Sequence, residues 1–190
     1  MLKRLFDIVL SMISLILFSP LLIISALLVA ITSKGPIFFK QARLGKNGKI
    51  FKLYKFRTMT HKSRNNAKEV FLDNQEVTRI GKILRRFKID ELTQLINILK
   101  GDMSFVGPRP CLPELRKEFD KNGEKRLLVR PGLSGLAQIN GNIYISWPER
   151  WKYDAEYVER QSFILDFKII FKSFLIIIFG EDKFIKKPNA

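Results

Sequence analysis

Residues 8–31, IVLSMISLILFSPLLIISALLVAI, form an uncharged apolar segment near the start of the chain. As an α-helix with a rise of ~1.5 Å per residue, the segment would be roughly 36 Å long, which is enough to enter a lipid bilayer. Ser19 and Pro20 stand at its midpoint, where proline removes a backbone donor and favours a kink. A secretory signal would have a shorter apolar core followed by a small-residue cleavage site, so we interpret the segment as a retained membrane anchor.

The residues leave two topologies open for this anchor. Lys3 and Arg4 precede it and many basic residues follow it, so the positive-inside rule places the body of the protein in the cytoplasm. A single proline-kinked span would export only a short N-terminal tail. A re-entrant pair of helices with Ser19-Pro20 at its apex would keep Lys3 and Arg4 in the cytoplasm as well.

The composition predicts one basic domain. The 190 residues include 34 Lys and Arg and 18 Asp and Glu, a formal net charge of +16, and 46% of them are hydrophobic. No acidic residue lies between Asp7 and Glu69, so anionic lipid head groups are natural neighbours of this stretch. Because Cys111 is the only cysteine and His61 the only histidine, an internal disulfide and a Cys- or His-rich metal centre are excluded, and any metal must take oxygen ligands.

The body is predicted to have an α+β fold that is mostly helical with one small β-hairpin. Two apolar runs, residues 37–39 and 50–54, flank Lys46-Asn47-Gly48, which is typical of a hairpin turn. Spaced apolar residues predict short helices after Gly81 and before Gly101, and a proline predicts a helix start at Pro148. The apolar residues 163–179 carry three charges, which predicts an amphipathic helix packed on the core or lying at the membrane interface.

Asp90 and Glu91 are adjacent carboxylates at the predicted start of a helix. One interpretation is an ordinary helix cap. The other is a metal-phosphate site, because Arg85 and Arg109 lie on either side in sequence. There Mg²⁺ would take carboxylate and phosphate oxygens, the arginines would neutralise developing charge, and a carboxylate could attack phosphorus.

Two further groups carry a functional and a structural interpretation each. Lys55 and Arg57 occupy alternate positions after the predicted strand, so both could bind phosphate or could form a solvated basic edge. Gly132, Gly135 and Gln138 mark a tight loop that either lets the backbone approach a ligand or is a structural turn.

Taken in order, these segments resemble one family, the bacterial sugar transferases, which are monotopic polyprenyl-phosphate phosphoglycosyl transferases. The resemblance covers almost the whole chain and is carried by Ser19-Pro20, FKLYKFRTM at 51–59, TRIG at 78–81 with Leu84-Arg85, Asp90-Glu91-Leu92, GDMSFVGPRP at 101–110, RPGLSGLAQ at 130–138, and Tyr153-Asp154 through Asp166.

The resemblance implies an activity and roles for individual residues. A sugar-1-phosphate would pass from a UDP-sugar to polyprenyl (undecaprenyl) phosphate with release of UMP, the first membrane step of capsule, O-antigen or glycoprotein assembly. Asp90 would be the nucleophile that forms a covalent phosphosugar intermediate, and Glu91 with Asp90 would hold Mg²⁺. The expected phosphate and substrate contacts are Arg85, Arg109, Lys55, Arg57, Arg130 and Gln138.

The resemblance also implies a location. Residues 1–33 would be a re-entrant membrane helix broken at Ser19-Pro20, and residues 34–190 a minimal catalytic domain with interfacial helices on the cytoplasmic face of the bacterial inner membrane. Two positions depart from the family pattern: Thr93 stands where proline is usual, and Asn142 stands where arginine often follows the glycine. The second departure puts a donor contact from that position in doubt.

Three other functions remain open. A membrane-tethered protein that binds anionic lipid or nucleic acid would account for the charge, although no nucleic-acid motif is present and no nucleic-acid partner is expected. A nucleotide-sugar phosphohydrolase would use the same acidic pair and arginines. A transferase could also act by direct single displacement, and the sequence predicts neither the sugar nor the oligomeric state.

Overall fold

The computed structural model describes residues 2–60, 76–180 and 183–184; His61 lies outside them. Within these ranges the α-helices are Leu2–Leu17 (α1), Ser19–Thr32 (α2), Arg79–Arg86 (α3), Leu95–Lys100 (α4), Lys121–Lys125 (α5), Leu136–Asn140 (α6), Trp147–Arg160 (α7) and Phe163–Phe179 (α8). The strands are Phe38–Leu44 (β1), Ile50–Phe56 (β2), Ser104–Val106 (β3) and Gly132–Ser134 (β4). Short 3-10 helices span Lys46–Gly48, Ile89–Gln94, Pro113–Glu118, Arg126–Leu128 and Asn142–Tyr144.

The N-terminal apolar segment is broken where Ser19-Pro20 predicts a kink. Pro20 lies in the first turn of α2, and the Ser19 hydroxyl donates to the carbonyl of Ile16 at 2.8 Å. No helix in the described ranges is by itself long and apolar enough to cross a membrane, whereas α1 and α2 together are, and they are bent by 63° at the break. The break follows from the missing proline donor.

Both ends of this bent pair contact the body. At the start of α1, Arg4 donates to two carbonyls at the end of α4, and buried Asp7 accepts from the Ser104 hydroxyl at 3.0 Å and the Phe105 amide at 3.1 Å. At the end of α2, Val29 is buried in a cluster with Phe56 of β2 and a leucine of α3. Contacts with the core continue toward the break, because Leu15 packs against the cluster that includes Leu53 and Leu22 packs against the cluster of Val29.

The predicted hairpin is confirmed. Strands β1 and β2 are antiparallel from Phe38 opposite Phe56 to Leu44 opposite Ile50. The turn needs two residues at positive φ, and it has them in Asn47 (56°) and Gly48 (73°). The hairpin presents Leu53 to a core that includes residues of α4 and thereby places the end of β2 beside the 3-10 helix Ile89–Gln94.

The helix predicted after Gly81 begins earlier, at Arg79, because the Thr78 hydroxyl accepts from the Gly81 amide at 2.9 Å and caps it. Gly81 also lies directly against the hairpin end, since a Cβ at this position would come within 2.1 Å of the carbonyl oxygen of Thr58. Only glycine permits this approach, and the approach brings Arg85 of α3 to the Thr58 hydroxyl at 2.9 Å.

In the glycine loop at 132–135, the backbone packs directly against the backbone around Gly107. Strands β3 and β4 form a parallel pair that the sequence does not predict, with Ser104 opposite Gly132. A Cβ on Gly132 would lie 2.1 Å from the amide nitrogen of Gly107, and one on Gly135 would lie 2.3 Å from the Gly107 carbonyl oxygen. The backbone thus approaches other backbone here, which favours the structural interpretation of this loop.

The last two helices confirm their predicted starts and character. A capping box between Ser146 and Glu149 begins α7, with Pro148 in its first turn. Helix α8 buries Asp166 and Ile169 but leaves large apolar side chains exposed along its other face, among them Phe167 at 70% exposure. Buried Asp166 accepts from Tyr157 of α7 at 2.7 Å and pairs with Lys3 of α1 at 2.5 Å.

Candidate active site

Asp90 and Glu91 lie in the 3-10 helix Ile89–Gln94, which runs directly into α4. The residue before this helix is Lys88, in the left-handed region at φ 56°, and no side chain caps the helix start. Asp90 and Glu91 are 5% and 8% exposed. The simple capping interpretation is therefore wrong, and the two carboxylates are buried for another reason.

Glu91 is held by two cations from different parts of the chain. Its Oε1 atom lies 2.6 Å from the Nζ of Lys55 on β2 and 2.8 Å from the Nη2 of Arg109, which follows β3. Burial opposes ionisation of Glu91, but Arg109 and Lys55 outweigh it and hold the pKa of Glu91 well below its usual range. Glu91 is consequently ionised at neutral pH.

Asp90 differs from its neighbour in its pKa and in its bonding. Burial, together with the negative charge of Glu91, raises the pKa of Asp90 to about 6, although Lys55, Arg85 and Lys88 oppose the rise. Its Oδ1 atom is buried and has no hydrogen-bond partner within the described ranges. A carboxylate oxygen that is desolvated and uncommitted is suited to nucleophilic attack once ionised.

The structure brings some of the predicted contact residues to this pair. Lys55 and Arg109 bind Glu91 directly, and the charge of Arg85 acts on Asp90. Arg109 additionally lines a cavity that includes Gln138. Cations from β2, α3 and the segment after β3 thus converge on the two carboxylates, which is the charge pattern that a phosphate site requires.

Two of the predicted phosphate contacts, Arg57 and Arg130, donate to backbone carbonyls at helix ends instead. Arg57 is 5% exposed, and its guanidinium donates to the carbonyls of Val29, Ser33 and Pro36 at 3.2, 2.6 and 2.5 Å. It closes the C-terminal end of α2 against the body. The Nε of Arg130 donates to the carbonyl of Gly101 at 2.8 Å, at the end of α4. These contacts give both arginines capping roles.

Residues without an assigned role in the sequence analysis also shape the site. Asn97 is fully buried; its side chain accepts from the Tyr54 amide at 3.1 Å and donates to the Lys52 carbonyl at 2.8 Å, which fixes α4 to β2. Arg126 and Asp154 form a buried ion pair at 3.0 Å beside Arg109. A single sequence does not show that an asparagine will be buried or that two charges far apart along the chain will pair. Asp154 does, however, lie within one of the segments that carry the family resemblance.

The donor set of the pair is compatible with Mg²⁺. Within the described ranges no group of three or more metal-ligating side chains occurs. Mg²⁺ is nevertheless commonly held by one or two carboxylates, with substrate phosphates and water completing an octahedron. The unpartnered Oδ1 of Asp90 and the adjacent carboxylate of Glu91 fit this pattern.

A family model described as "Bacterial sugar transferase" matches residues 1–180 of the chain. The chain belongs to the bacterial sugar transferase family. Among its relatives, the uncharacterized sugar transferase EpsL of Bacillus subtilis (strain 168) is 43% identical over 169 residues, which cover 89% of this chain and 83% of the relative.

Two relatives carry names that state a reaction. The UDP-N-acetylgalactosamine-undecaprenyl-phosphate N-acetylgalactosaminephosphotransferase of Aeromonas hydrophila is 40% identical over 185 residues, covering 94% of this chain and 44% of the relative. The UDP-glucose:undecaprenyl-phosphate glucose-1-phosphate transferase of Escherichia coli (strain K12) is 41% identical over 182 residues, covering 90% of this chain and 39% of the relative. This sugar transferase chain therefore matches less than half the length of both.

Proposed function

We propose that this chain transfers a sugar-1-phosphate from a UDP-sugar to undecaprenyl phosphate and releases UMP. The observation that carries the proposal is the buried pair in which Glu91 is locked by Lys55 and Arg109 while the Oδ1 of Asp90 is uncommitted. Family membership supplies the reaction class, since relatives of this chain are named for that transfer.

The reaction proceeds as two displacements at one phosphorus atom. The ionised carboxylate of Asp90 attacks the β-phosphorus of the UDP-sugar, and the bond from that phosphorus to the bridging oxygen breaks, so UMP leaves. An oxygen of the lipid phosphate then attacks the same phosphorus and breaks the aspartyl–phosphorus bond. The products are the lipid diphosphate sugar and free Asp90. Two steps let a water-soluble donor and a lipid acceptor use the same site in turn.

The surrounding cations remove the repulsion between an anionic nucleophile and an anionic donor. Arg85 lies close enough to Asp90 to favour its ionised form, and Arg109 extends from Glu91 to the neighbouring cavity. These guanidiniums bind the donor phosphates and stabilise the charge that develops on the leaving phosphate. Mg²⁺, held by Asp90 and Glu91, would add Lewis-acid stabilisation of the phosphate oxygens.

We further infer that α1 and α2 form a re-entrant hairpin in the membrane, with the body on the cytoplasmic face. The contacts of Arg4 and Asp7 at one end, and of Arg57 with the other end, attach both ends to the same body. A straight span would separate those ends by the thickness of the bilayer. The exposed apolar face of α8, with Ile164 and Phe167, lies at the interface in the same arrangement.

The test uses full-length protein in nanodiscs with Mg²⁺, a panel of UDP-sugars and undecaprenyl phosphate, with UMP as the readout. We expect wild-type protein to release catalytic amounts of UMP only when acceptor is present. Asp90→Asn should lose this activity by at least about 10³-fold, as expected for a nucleophile. Asp120→Asn is the matched control, because Asp120 is an exposed cap that asparagine replaces well.

The covalent step has its own readout. Without acceptor, wild-type protein should release one equivalent of UMP and gain the mass of one sugar phosphate on the peptide that contains Asp90. Catalytic UMP release without acceptor would instead indicate a phosphohydrolase, and acceptor-dependent turnover with no adduct would indicate a single displacement.

A further inference from the structure

A second arginine, Arg43 of β1, lies beside Arg109. The Leu44 amide donates to the Cys111 carbonyl at 2.9 Å, so the end of β1 runs alongside the segment that carries Arg109. The register of the hairpin places Arg43 on the same face as Lys55 of β2, because residues at alternate positions of a strand share a face. Arg43 therefore adds a cation to the side of the hairpin on which Lys55 and Arg109 bind Glu91.

The positive charge of Arg43 is not balanced by an ion pair. In the part of the chain that the structure describes, its side chain bonds only to a neutral group, the Oε1 of Gln41 at 2.7 Å. Glu91 and exposed Glu114 act on it from a greater distance, and Glu91 is already held by two other cations. Burial and the charge of Arg109 lower the pKa of Arg43 to about 10, so Arg43 is still a cation at neutral pH.

One edge of the Arg43 guanidinium is open. Its Nε is closed to solvent, and its Nη2 is occupied by Gln41. Its Nη1 has no hydrogen bond within the described ranges and is not among the atoms closed to solvent. The neighbouring Arg109 side chain is 41% exposed. A ligand from solution can therefore reach both guanidiniums at once.

The charge and the donors select an anion with several oxygens. Two neighbouring guanidiniums repel each other, and an anion placed between them removes that repulsion. Guanidinium N–H groups match the oxygens of phosphate, whereas a neutral hydroxyl group would leave the excess charge unbalanced. Arg109 also reaches Glu91 at 2.8 Å, and Asp90 is the next residue along the chain. The anion site therefore adjoins the proposed nucleophile.

The proposed chemistry places a phosphate monoester at such a position in both of its steps. In displacement at phosphorus the attacking and leaving oxygens lie roughly in line. When the bridging bond of the donor breaks, its electron pair stays on the oxygen of the departing UMP, whose phosphate gains a negative charge. In the second step an oxygen of the lipid phosphate attacks from the side on which UMP left. Both phosphates therefore occupy one position, opposite Asp90.

We propose that Arg43 and Arg109 together bind the phosphate monoester opposite Asp90, first the phosphate of departing UMP and then the phosphate of the lipid acceptor. The proposal rests on the proposed function and adds to it a leaving-group contact, Arg43. The charge that develops on UMP would be stabilised by a guanidinium that no carboxylate neutralises in the described ranges.

The experiment compares Arg43→Gln, which removes the charge, with Arg43→Lys, which keeps it. Lys52→Gln is the matched control, because it removes one positive charge from an exposed position on the other face of the same hairpin. The assay follows transfer of radiolabelled sugar to the lipid, so that UMP and uridine can both be added as inhibitors. Melting temperatures of all variants are recorded beside it.

Loss of a charged hydrogen bond to phosphate predicts about 10-fold weaker inhibition by UMP in Arg43→Gln, with kcat lower by about 10-fold or more. Inhibition by uridine, which has no phosphate, should change less than about 2-fold, as should every parameter of Lys52→Gln. Arg43→Lys should recover most of the UMP affinity. Because the acceptor phosphate uses the same position, its KM should increase together with the inhibition constant of UMP.

Three results would overturn the proposal. Unchanged inhibition by UMP in Arg43→Gln would show that Arg43 does not contact the phosphate. Equal weakening of UMP and uridine, with a lower melting temperature, would show that Arg43 only supports the fold. An unchanged acceptor KM beside weaker UMP inhibition would refute the shared position.

A binding measurement separates this proposal from the proposed function. If wild-type protein transfers no sugar and releases no UMP from any donor, the transferase assignment fails, and thermal shifts with UMP and uridine then test the phosphate contact. Stabilisation of wild type by UMP but not by uridine, lost in Arg43→Gln and kept in Lys52→Gln, supports the contact. Equal stabilisation of wild type and Arg43→Gln by UMP, or none of either, overturns it.

Discussion

Arg57→Met tests whether Arg57 closes the end of the bent helix pair α1 and α2 against the body or binds phosphate. Its guanidinium donates to the carbonyls of Val29, Ser33 and Pro36, and to the Ser33 hydroxyl at 2.8 Å. A hydrogen bond from a charged donor contributes about 1.5–3 kcal/mol, and carbonyls that regain water recover part of that loss. We therefore expect the free energy of unfolding to fall by about 3–5 kcal/mol.

At about 2–4 °C per kcal/mol for a chain of this size, that loss lowers the melting temperature by roughly 10 °C. The assay is thermal unfolding in nanodiscs beside donor KM measured well below the transition, where we expect KM to change less than about 2-fold. Lys55→Met is the comparison, because Lys55 contacts Glu91 and its loss should act on kcat/KM. An unchanged melting temperature with a tenfold higher donor KM in Arg57→Met would refute the capping role.

Three further changes test the fold around the site. Gly132→Ala places a Cβ 2.1 Å from the backbone of Gly107, so we expect the free energy of unfolding to fall by at least about 3 kcal/mol and UMP release to be lost with it. A variant that melts like wild type contradicts the close approach of these two backbone segments. Asp7→Leu leaves two donors of β3 unpaired and should cost about 2–4 kcal/mol in chemical unfolding. Burial raises the pKa of Asp154 from 3.8 to about 6, so the fold loses stability as the pH rises through this range, where Asp154 ionises in the unfolded chain before it does in the folded one. Lowering the pH from 7 to 4 should therefore stabilise wild type relative to Asp154→Asn by about 2 kcal/mol, whereas a constant difference in unfolding free energy argues against this shift.

Local features of the fold were predictable because their causes lie within a few residues. Pro20 breaks the apolar helix through its own missing donor, and Asn47-Gly48 supplies the two positive φ angles of the hairpin turn. Gly101 ends α4 at φ 90°, as expected for a glycine that follows the last apolar position of a helix. Each of these outcomes depends on backbone chemistry rather than on distant neighbours.

The parallel pair of β3 and β4 was not predictable for the opposite reason. Each strand has three residues, which is too short for an alternating pattern. The pairing depends on Gly107 and Gly132 meeting across 25 positions of sequence, and a glycine by itself does not indicate which backbone it approaches. The sequence indicated that the loop at 132–135 could be a structural turn, but it did not indicate that the loop packs against Gly107.

Lys55 and Arg57 show how the candidate site was predicted in part. Alternation along a strand places both on one face, but β2 ends at Phe56, so the rule no longer holds at Arg57. Lys55 then meets Glu91, while Arg57 turns to the end of α2. The convergence of cations on the two carboxylates was predictable from residue types, whereas the choice of which cation does so depends on tertiary contacts.

The segment from Ser104 to Arg109 links α1 with the residues of the proposed chemistry. Asp7 of α1 binds Ser104 and the Phe105 amide at one end of this segment, and Arg109 binds Glu91 at the other. Between them, Gly107 is fixed by the crossing with Gly132. Because this short segment is held at three points, α1 cannot move away from the body without releasing hydrogen bonds of the strand that positions Arg109. In the proposed re-entrant arrangement, α1 would therefore set the height of Asp90 relative to the bilayer, and the proposed nucleophile must share that height with the phosphate of the lipid acceptor.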